Sequence, residues 1–554
     1  MTALTHRLIA AAALTAAVIA ALALAVPSTA HASTKQIAII QDDSQLQANP
    51  AATLAKMRSL GATTVRVSLY WTAIAPNIQS TKKPAFSATN PNAYSAANWA
   101  PYDTIVRDAK ADGMTIDFTV EGGAPRWAEG KGIPSNYVIA HNPQAKYFAW
   151  KPNATDFGQF VKAVGTRYDG RFTPAGQGSP LPRVHFWTIW NEPNFGEDLA
   201  PQATDTSRIS YAPHLYRSLV HSGYGALKAT GHGKDTILIG DFAAHGSKLS
   251  DGRHGRTWPQ GLPGNAGQTQ PLPFIRTLYC LNQNGGKLTG RAAKQVGCPA
   301  TAKGRRSFRK DNPGLFDASG VGDHPYANKA TPRSDGKGNP DWSTLPNLPR
   351  MEGTLDRATR AWGSGKHYAI YNDEYGYITN PPSKQPDSSV KTATAARYLN
   401  WAEYITYHEK RVASYDQYLL RDPASNGTNP FATGLYTYAG KAKPTLNAYR
   451  MPMWLPTTHL KKAGRDKVWG EARPAHLTKS ADRVEVQFRT HGKGAWKTIK
   501  TVHSTTYFTV RPKFTTNGDV RLRYTYPSAT ADPLLPAGVA GSSIVSRSQK
   551  VTVR

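Results

Sequence analysis

Acidic residues are scarce in this chain: 37 Asp and Glu stand against 67 Lys and Arg, a formal net charge of +30. Such an imbalance invites a nucleic-acid reading, because clustered cations neutralise phosphates. The basic residues are spread along the chain, however, and no basic helix, metal-finger spacing or aromatic RNA-binding signature accompanies them. That excludes a nucleic-acid-binding module and leaves a basic protein that an anionic cell-wall polymer would attract. Also missing is a glycine-rich turn after the first strand-like run, which argues against an open dinucleotide-binding sheet. No His, Cys and Asp cluster has the spacing of metal ligands, so neither a metal nor another cofactor is expected. Beyond the N-terminal segment no apolar run is long enough to cross a bilayer, which takes about 20 residues.

Cysteine is nearly absent, with Cys280 and Cys298 the only two. Their compartment follows from the N-terminus. In residues 1–32 one Arg and one His precede an apolar run from Leu8 to Val26, followed by Pro27 and then Ala30-His31-Ala32 before Ser33. This is the small-x-small pattern of a cleaved signal peptide, and it predicts a secreted protein with no membrane attachment once the segment is removed. A retained N-terminal anchor is the alternative, since the apolar run approaches spanning length. Export places the cysteines where an even count predicts a disulfide, stabilising a short loop by about 3 kcal/mol in the chain-entropy picture.

What the chain does contain is enough apolar and aromatic residue to fold, 40% and 10%, over 554 residues. That length exceeds a single core, which stops growing at roughly 250 to 300 residues. From residue 33 to 453, strand-like runs alternate with amphipathic helical stretches. The strand candidates are Gln36 to Gln41, Thr64 to Leu69, Thr115 to Val120, Val184 to Trp190, Thr236 to Asp241, Gly320 to Asp323, His367 to Asn372 and Val412 to Tyr418. An eight-fold alternation predicts a (β/α)8 TIM barrel, an α/β fold. The stretches 246–273 and 327–350 follow strands and are predicted to be long loops walling a cleft at the C-terminal face, where barrel active sites lie. From 454 to 554 the pattern changes to period 2, as in Arg483-Val484-Glu485-Val486-Gln487-Phe488 and Val520-Arg521-Leu522-Arg523-Tyr524. This predicts a small C-terminal β-sandwich of immunoglobulin or fibronectin kind, with 18 basic residues against 6 acidic over 455–554.

Two carboxylate-bearing segments could do chemistry. In Phe186-Trp187-Thr188-Ile189-Trp190-Asn191-Glu192-Pro193-Asn194, a β-branched and aromatic run is stopped by Pro193, which predicts a strand ending at Glu192 in the barrel mouth. Flanking aromatics would desolvate that carboxyl and raise its pKa toward what a general acid needs; a structural ion pair is the alternative. The second segment is Ile370-Tyr371-Asn372-Asp373-Glu374-Tyr375-Gly376-Tyr377, three strands later. Glycosidic cleavage needs two carboxyl groups flanking one bond, about 5 to 5.5 Å apart when one is a nucleophile. Strands 4 and 7 can present such a pair across a barrel. Glu121 and Asp373 are rival carboxylates. Trp71, Trp127, Trp190 and Tyr375 lie near strand ends, and of these Trp71 and Trp127 are favoured for stacking on sugar.

Trp190-Asn191-Glu192-Pro193 resembles the strand-4 signature of the retaining glycoside hydrolases of clan A, families 5 and 39 above all. Glu374-Tyr375-Gly376 resembles their strand-7 nucleophile segment. The resemblance covers residues 35 to about 453 and implies a secreted glycosidase that hydrolyses O-glycosidic bonds of a poly- or oligosaccharide, without cofactor and as a monomer. It further implies Glu192 as acid/base, Glu374 as nucleophile, and Asn191 as partner of the sugar 2-hydroxyl. Arg66 resembles the strand-2 arginine beside the nucleophile, and His324 and Tyr326 in Asp323-His324-Pro325-Tyr326 resemble the strand-6 pair. Two places depart from the family 5 pattern: Glu121-Gly122-Gly123 stands where many members carry a histidine, and Tyr418 where many carry a tryptophan. A transglycosylase using the same site, or a carbohydrate-binding or wall-associated barrel without catalysis, fits the same motifs.

Overall fold

The computed structural model describes residues 36–133, 148–203, 210–247, 267–335, 338–425, 430–478, 483–528 and 538–554. The expected signal segment, most of the 246–273 loop and the middle of the 327–350 loop lie outside the described residues. Eight parallel strands close into a barrel: β1 (Ile37–Gln41), β2 (Thr64–Tyr70), β3 (Thr115–Glu121), β4 (Phe186–Ile189), β5 (Thr236–Ala243), β6 (Gly320–His324), β7 (Ala369–Asn372) and β8 (Val412–Tyr418). Closure is made by β1, which pairs with β8 from Ile37 opposite Ser414 to Gln41 opposite Tyr418, and with β2 on its other edge.

Alternation along these strands sorts chemistry by face. On β3, Ile116, Phe118 and Val120 pack outward with the helices, Phe118 touching Tyr102 and Tyr168 at ring distances of 6.3 and 5.1 Å. Asp117, Thr119 and Glu121 take the other face. On β2 the same split places Val65, Val67 and Leu69 in the core and Arg66 and Ser68 on the inner face. The barrel interior is therefore polar near its mouth: Arg66, Asp117, Asp241, His324, Asp373 and Asp416 are all fully buried. Most barrels fill this space with branched aliphatic layers. Burying carboxyl groups at such density disfavours their charged forms, and it pushes Asp117 up to about 7 despite the opposing pull of Arg66.

Between the β2–β4 wall and the helix Ala154–Arg167 lies an aromatic stack in which Phe160 sits face to face with Trp71 (5.8 Å, 14°) and Trp99 (6.5 Å, 10°). Each such ring contributes about 1.5 to 3 kcal/mol by burial. Cys280 and Cys298 form the expected disulfide, with 5.6 Å between their Cα atoms.

The C-terminal strands form two facing sheets. Met453–Trp454, Val468–Gly470 and Phe508–Val510 make one, and the ribbons Arg483–Thr490, Lys497–His503, Gly518–Thr525 and Gln549–Val553 belong to the other. Met453, Val468, Val486, Phe508, Val520 and Leu522 share one apolar core between them. This sandwich docks on the helix Thr392–His408. There Glu403 accepts from Arg473 at 2.5 Å and from Tyr507 at 2.6 Å, all three buried, and Trp401 stacks on Trp454 at 5.1 Å. Buried charges of this kind are tolerated only when paired.

Candidate active site

Strand β4 ends at Ile189, earlier than the sequence pattern predicts. The break comes from the backbone rather than from Pro193: Trp190 takes φ +72° and Glu192 φ +34°, both left-handed, a conformation costing about 1 to 3 kcal/mol per non-glycine residue. The Trp190 amide still donates to Val120 O at 3.0 Å, and its ring is anchored in the core edge-on to Phe157 at 5.3 Å. The turn after this anchor leaves Asn191 and Glu192 partly exposed at the mouth. Trp190 consequently does not form the apolar wall expected around the Glu192 carboxyl. A charged neighbour takes that place: His324 Nδ1 lies 2.9 Å from Glu192 Oε1.

Glu374 follows the end of β7 and is also partly exposed. Arg66 Nη1 donates to its Oε1 at 3.2 Å, the Tyr326 hydroxyl donates to Oε2 at 3.1 Å, and His324 Nδ1 is 3.4 Å from Oε2. The Gly376 that follows is required by packing, since a Cβ there would meet Tyr418 O at 2.4 Å. One oxygen of Glu192, one of Glu374 and a nitrogen of His324 all lie within 4.8 Å of one another. The two carboxyl groups thus meet at the same His324 nitrogen, near enough to stand about a single bond.

The electrostatics follow from burial and charge. His324 is fully buried, which opposes its cation, but Glu374 and Glu192 outweigh that effect and raise it to about 9. At neutral pH it is an imidazolium whose Nδ1–H donates to Glu192. Glu374 is pushed up by burial and by the charge of Glu192, while His324, Arg66 and the Tyr326 hydroxyl pull it back. Arg66 is held well above the ordinary guanidinium value: its burial is more than compensated by Asp241, then Glu374.

All the polar residues singled out from the sequence converge here. Arg66 Nη2 donates to Asn191 Oδ1 at 2.9 Å while Nη1 serves Glu374, so one guanidinium orients two site residues. The two tryptophans do not converge. Trp71 is fully buried, with its ring stacked on Phe160. Trp127 is 9% exposed, edge-on to Trp71 at 5.9 Å, with its indole N–H given to Pro76 O at 3.0 Å. Both belong to the core, because the chain after β2 and β3 folds back over the helix Ala154–Arg167 instead of rising over the mouth. Tyr375 is likewise fully buried. The aromatic groups beside Glu374 are instead Tyr326, Tyr418 and the 43% exposed Phe431, whose ring meets the two tyrosines at 5.6 and 5.7 Å. Tyr418 was marked by its position at the end of β8, whereas nothing in the sequence marked Phe431.

Both rival carboxylates are buried below the mouth. Glu121 is 4% exposed and pushed by burial to about 8. Asp373 turns inward, where its carboxyl and that of Asp241 share the space over Gly322: a Cβ there would lie 1.9 Å from Asp241 Oδ1 and 2.5 Å from Asp373 Oδ2. Asp241 is the main residue that sequence reading missed. It accepts from Arg66 Nη2 at 2.7 Å and owes its inward aim to a bulge in β5, where Gly240 (φ +111°) and Asp241 (φ +52°) shift the register against β6. Gln41, which accepts from Arg66 Nη1 at 2.5 Å, was missed as well.

Glu192, His324 and Glu374, and equally Asp241, His324 and Asp373, also bring three possible metal-ligand atoms together. Sequence spacing could not reveal either group, because its members come from different strands. The positive charge that an ion would bring to these carboxylates is already supplied by Arg66, 2.7 Å from Asp241 and 3.2 Å from Glu374.

No protein-family model matches the chain, and no curated protein does. Solved structures similar to it include a family 39 glycoside hydrolase from the gut symbiont Bacteroides cellulosilyticus WH2, at 13% identity and TM-score 0.47, covering 87% of this chain and 81% of that one. A family 1 β-glucosidase from Thermotoga maritima gives 12% identity and TM-score 0.40, over 72% of this chain and 83% of the other. An exo-β-1,4-mannosidase from Opitutaceae bacterium strain TAV5 gives 13% and 0.38, over 76% and 60%. The likeness is one of fold.

Proposed function

We propose that the protein is a retaining glycoside hydrolase acting on O-glycosidic bonds of a poly- or oligosaccharide, exported by its N-terminal segment and cleaved after Ala32. The observation that carries this reading is the pair Glu192 and Glu374, with oxygens within 4.8 Å and both reaching His324 Nδ1. In the first step a Glu374 oxygen attacks the anomeric carbon as the bond to the departing oxygen breaks, and that oxygen takes the proton of Glu192. In the second, Glu192 accepts a proton from water, the water oxygen bonds to the anomeric carbon, and the ester to Glu374 is released. Arg66 and Tyr326 hold Glu374 ready to attack, and Asn191, fixed by Arg66, is placed for the sugar 2-hydroxyl. Tyr418 and Phe431 offer the apolar faces on which a ring would stack.

The test is trapping. A panel of 2-deoxy-2-fluoro glycosyl fluorides should inactivate the enzyme with a covalent sugar on the peptide containing Glu374, read by mass spectrometry. Inactivation with the label elsewhere would overturn the assignment of Glu374, and turnover of a glycan panel with inverted products would overturn the retaining mechanism. Export is checked separately, by N-terminal sequencing of the mature protein for a start at Ser33.

A further inference from the structure

Beyond the C-terminal ends of β1 and β8, the helices Asp43–Ala48 and Pro50–Ser59 and the chain that follows β8 line a groove of about 530 Å³ that shares no lining residue with the Glu192–Glu374 site. Its volume falls within the range of about 300 to 1,000 Å³ typical of small-ligand sites. Gln45, Asn49, Thr53, Lys56, Arg421 and Tyr436 line it, two cations and no carboxylate among them. Lys56 Nζ lies 5.5 Å from the centre of the Tyr436 ring. Arg421 donates through Nε to Tyr438 O at 2.7 Å and through Nη1 only weakly to the Gln45 side-chain oxygen at 3.4 Å, and it forms no ion pair with a carboxylate among the described residues. Its guanidinium sits 5.6 Å from the Tyr438 ring, which at 60% exposure is the most exposed large hydrophobic side chain described. Asp42, which touches the Arg421 backbone, is buried and occupied: it accepts from the backbone amides of Arg421 and Gln45 and from Ser44.

An exposed tyrosine beside an arginine whose Nη atoms meet no acid, with a lysine and two side-chain amides across the groove, has the groups to bind a carboxylated sugar. The ring faces stack on the apolar side of a pyranose, the amides meet hydroxyls, and the guanidinium pairs with a carboxylate in the fork geometry that Arg favours. We propose that this groove is an accessory binding site for an anionic polysaccharide bearing carboxylate groups, separate from the Glu192–Glu374 site. It does not depend on the catalytic reading, because binding is measured without turnover.

A protein of net charge +30 adheres to many polyanions, so the experiment compares equal losses of charge at two places. Affinity electrophoresis and calorimetry are run on the full chain carrying Glu374→Gln, with polygalacturonate, its fully methyl-esterified form, dextran sulfate and a neutral β-glucan. Binding to polygalacturonate should fall at least tenfold in Lys56→Gln/Arg421→Gln, and severalfold in Tyr438→Ala, which alters no charge. It should change less than twofold in the control Lys461→Gln/Lys462→Gln. Methyl esterification should abolish the site-dependent part. Equal losses in the two double variants, or Tyr438→Ala binding like its parent, would overturn the proposal in favour of diffuse charge attraction. Preference for dextran sulfate that survives in the groove variants would do the same. Thermal melting of each variant shows that the fold is kept, and Tyr438→Ala carries the test if Arg421→Gln loosens the loop.

Discussion

Glu374 and Glu192 share one histidine but are held to different degrees. Three side chains close on Glu374, from β2 and from β6 and its exit, whereas among the described residues the Glu192 carboxyl is hydrogen-bonded by His324 alone. A nucleophile must stay ionised and aimed throughout the first step, and cationic and hydroxyl donors on its two oxygens do both. An acid/base must gain and lose a proton in each cycle, so a lone partner and an open oxygen suit it better. The proposed division of roles rests on this difference in packing, and it can be attacked experimentally.

The largest effect should come from Glu374→Gln, which should lower kcat by about 10^4 to 10^6-fold, the scale of losing a covalent nucleophile. Glu192→Ala should cost less, about 10^2 to 10^4-fold, the usual contribution of acid and base catalysis, and on an aryl glycoside with an acidic leaving group added azide should restore turnover with retained configuration. Azide rescue of Glu374→Ala giving the retained product would reverse the two roles. Tyr326→Phe removes one donor from Glu374 alone, and a loss of about 10 to 100-fold in kcat is expected from one hydrogen bond to a charged group, at about 1.5 to 3 kcal/mol. A loss of about tenfold is expected for Asp241→Asn through the aim of Arg66, with unchanged kinetics showing that Arg66 needs no such anchor.

The smallest effect concerns pH. His324 is raised in the folded protein to about 9 from an ordinary value near 6.5, so its folded form binds the proton more tightly than the unfolded chain does. The stability it contributes is fully present below about pH 6.5 and is lost as pH rises through about 9. The melting temperature should therefore fall between those values, and His324→Asn should flatten that part of the profile. An unaltered slope in the variant would mean that the two carboxylates do not hold a proton on this ring.

Much of this was legible in the sequence where a local pattern repeats. The barrel strands declared themselves by short apolar and β-branched runs, and β8 lies over the residues its pattern predicts. The polar site was legible because each member ends or lies within such a run: Arg66 in β2, Asn191 and Glu192 after β4, His324 at the end of β6, Glu374 after β7. Trp71 and Trp127 were misplaced because proximity to a strand end does not say whether the next turn rises over the mouth or folds back onto a helix. Asp241 carried no signal of its own, since its direction depends on a bulge at Gly240 that alternation cannot foresee.

The sequence by itself therefore determined the number and order of the barrel strands, the period-2 change into the sandwich and which two strand-end carboxylates to consider, because these are properties of neighbouring residues. Only the tertiary structure decided how close those carboxylates lie, that one imidazole serves both, that Arg66 is anchored by Asp241, and that tyrosine and phenylalanine rather than tryptophan flank Glu374. Those facts arise where side chains from strands far apart in the chain meet in one buried space, and there burial and charge act between residues that no local pattern connects.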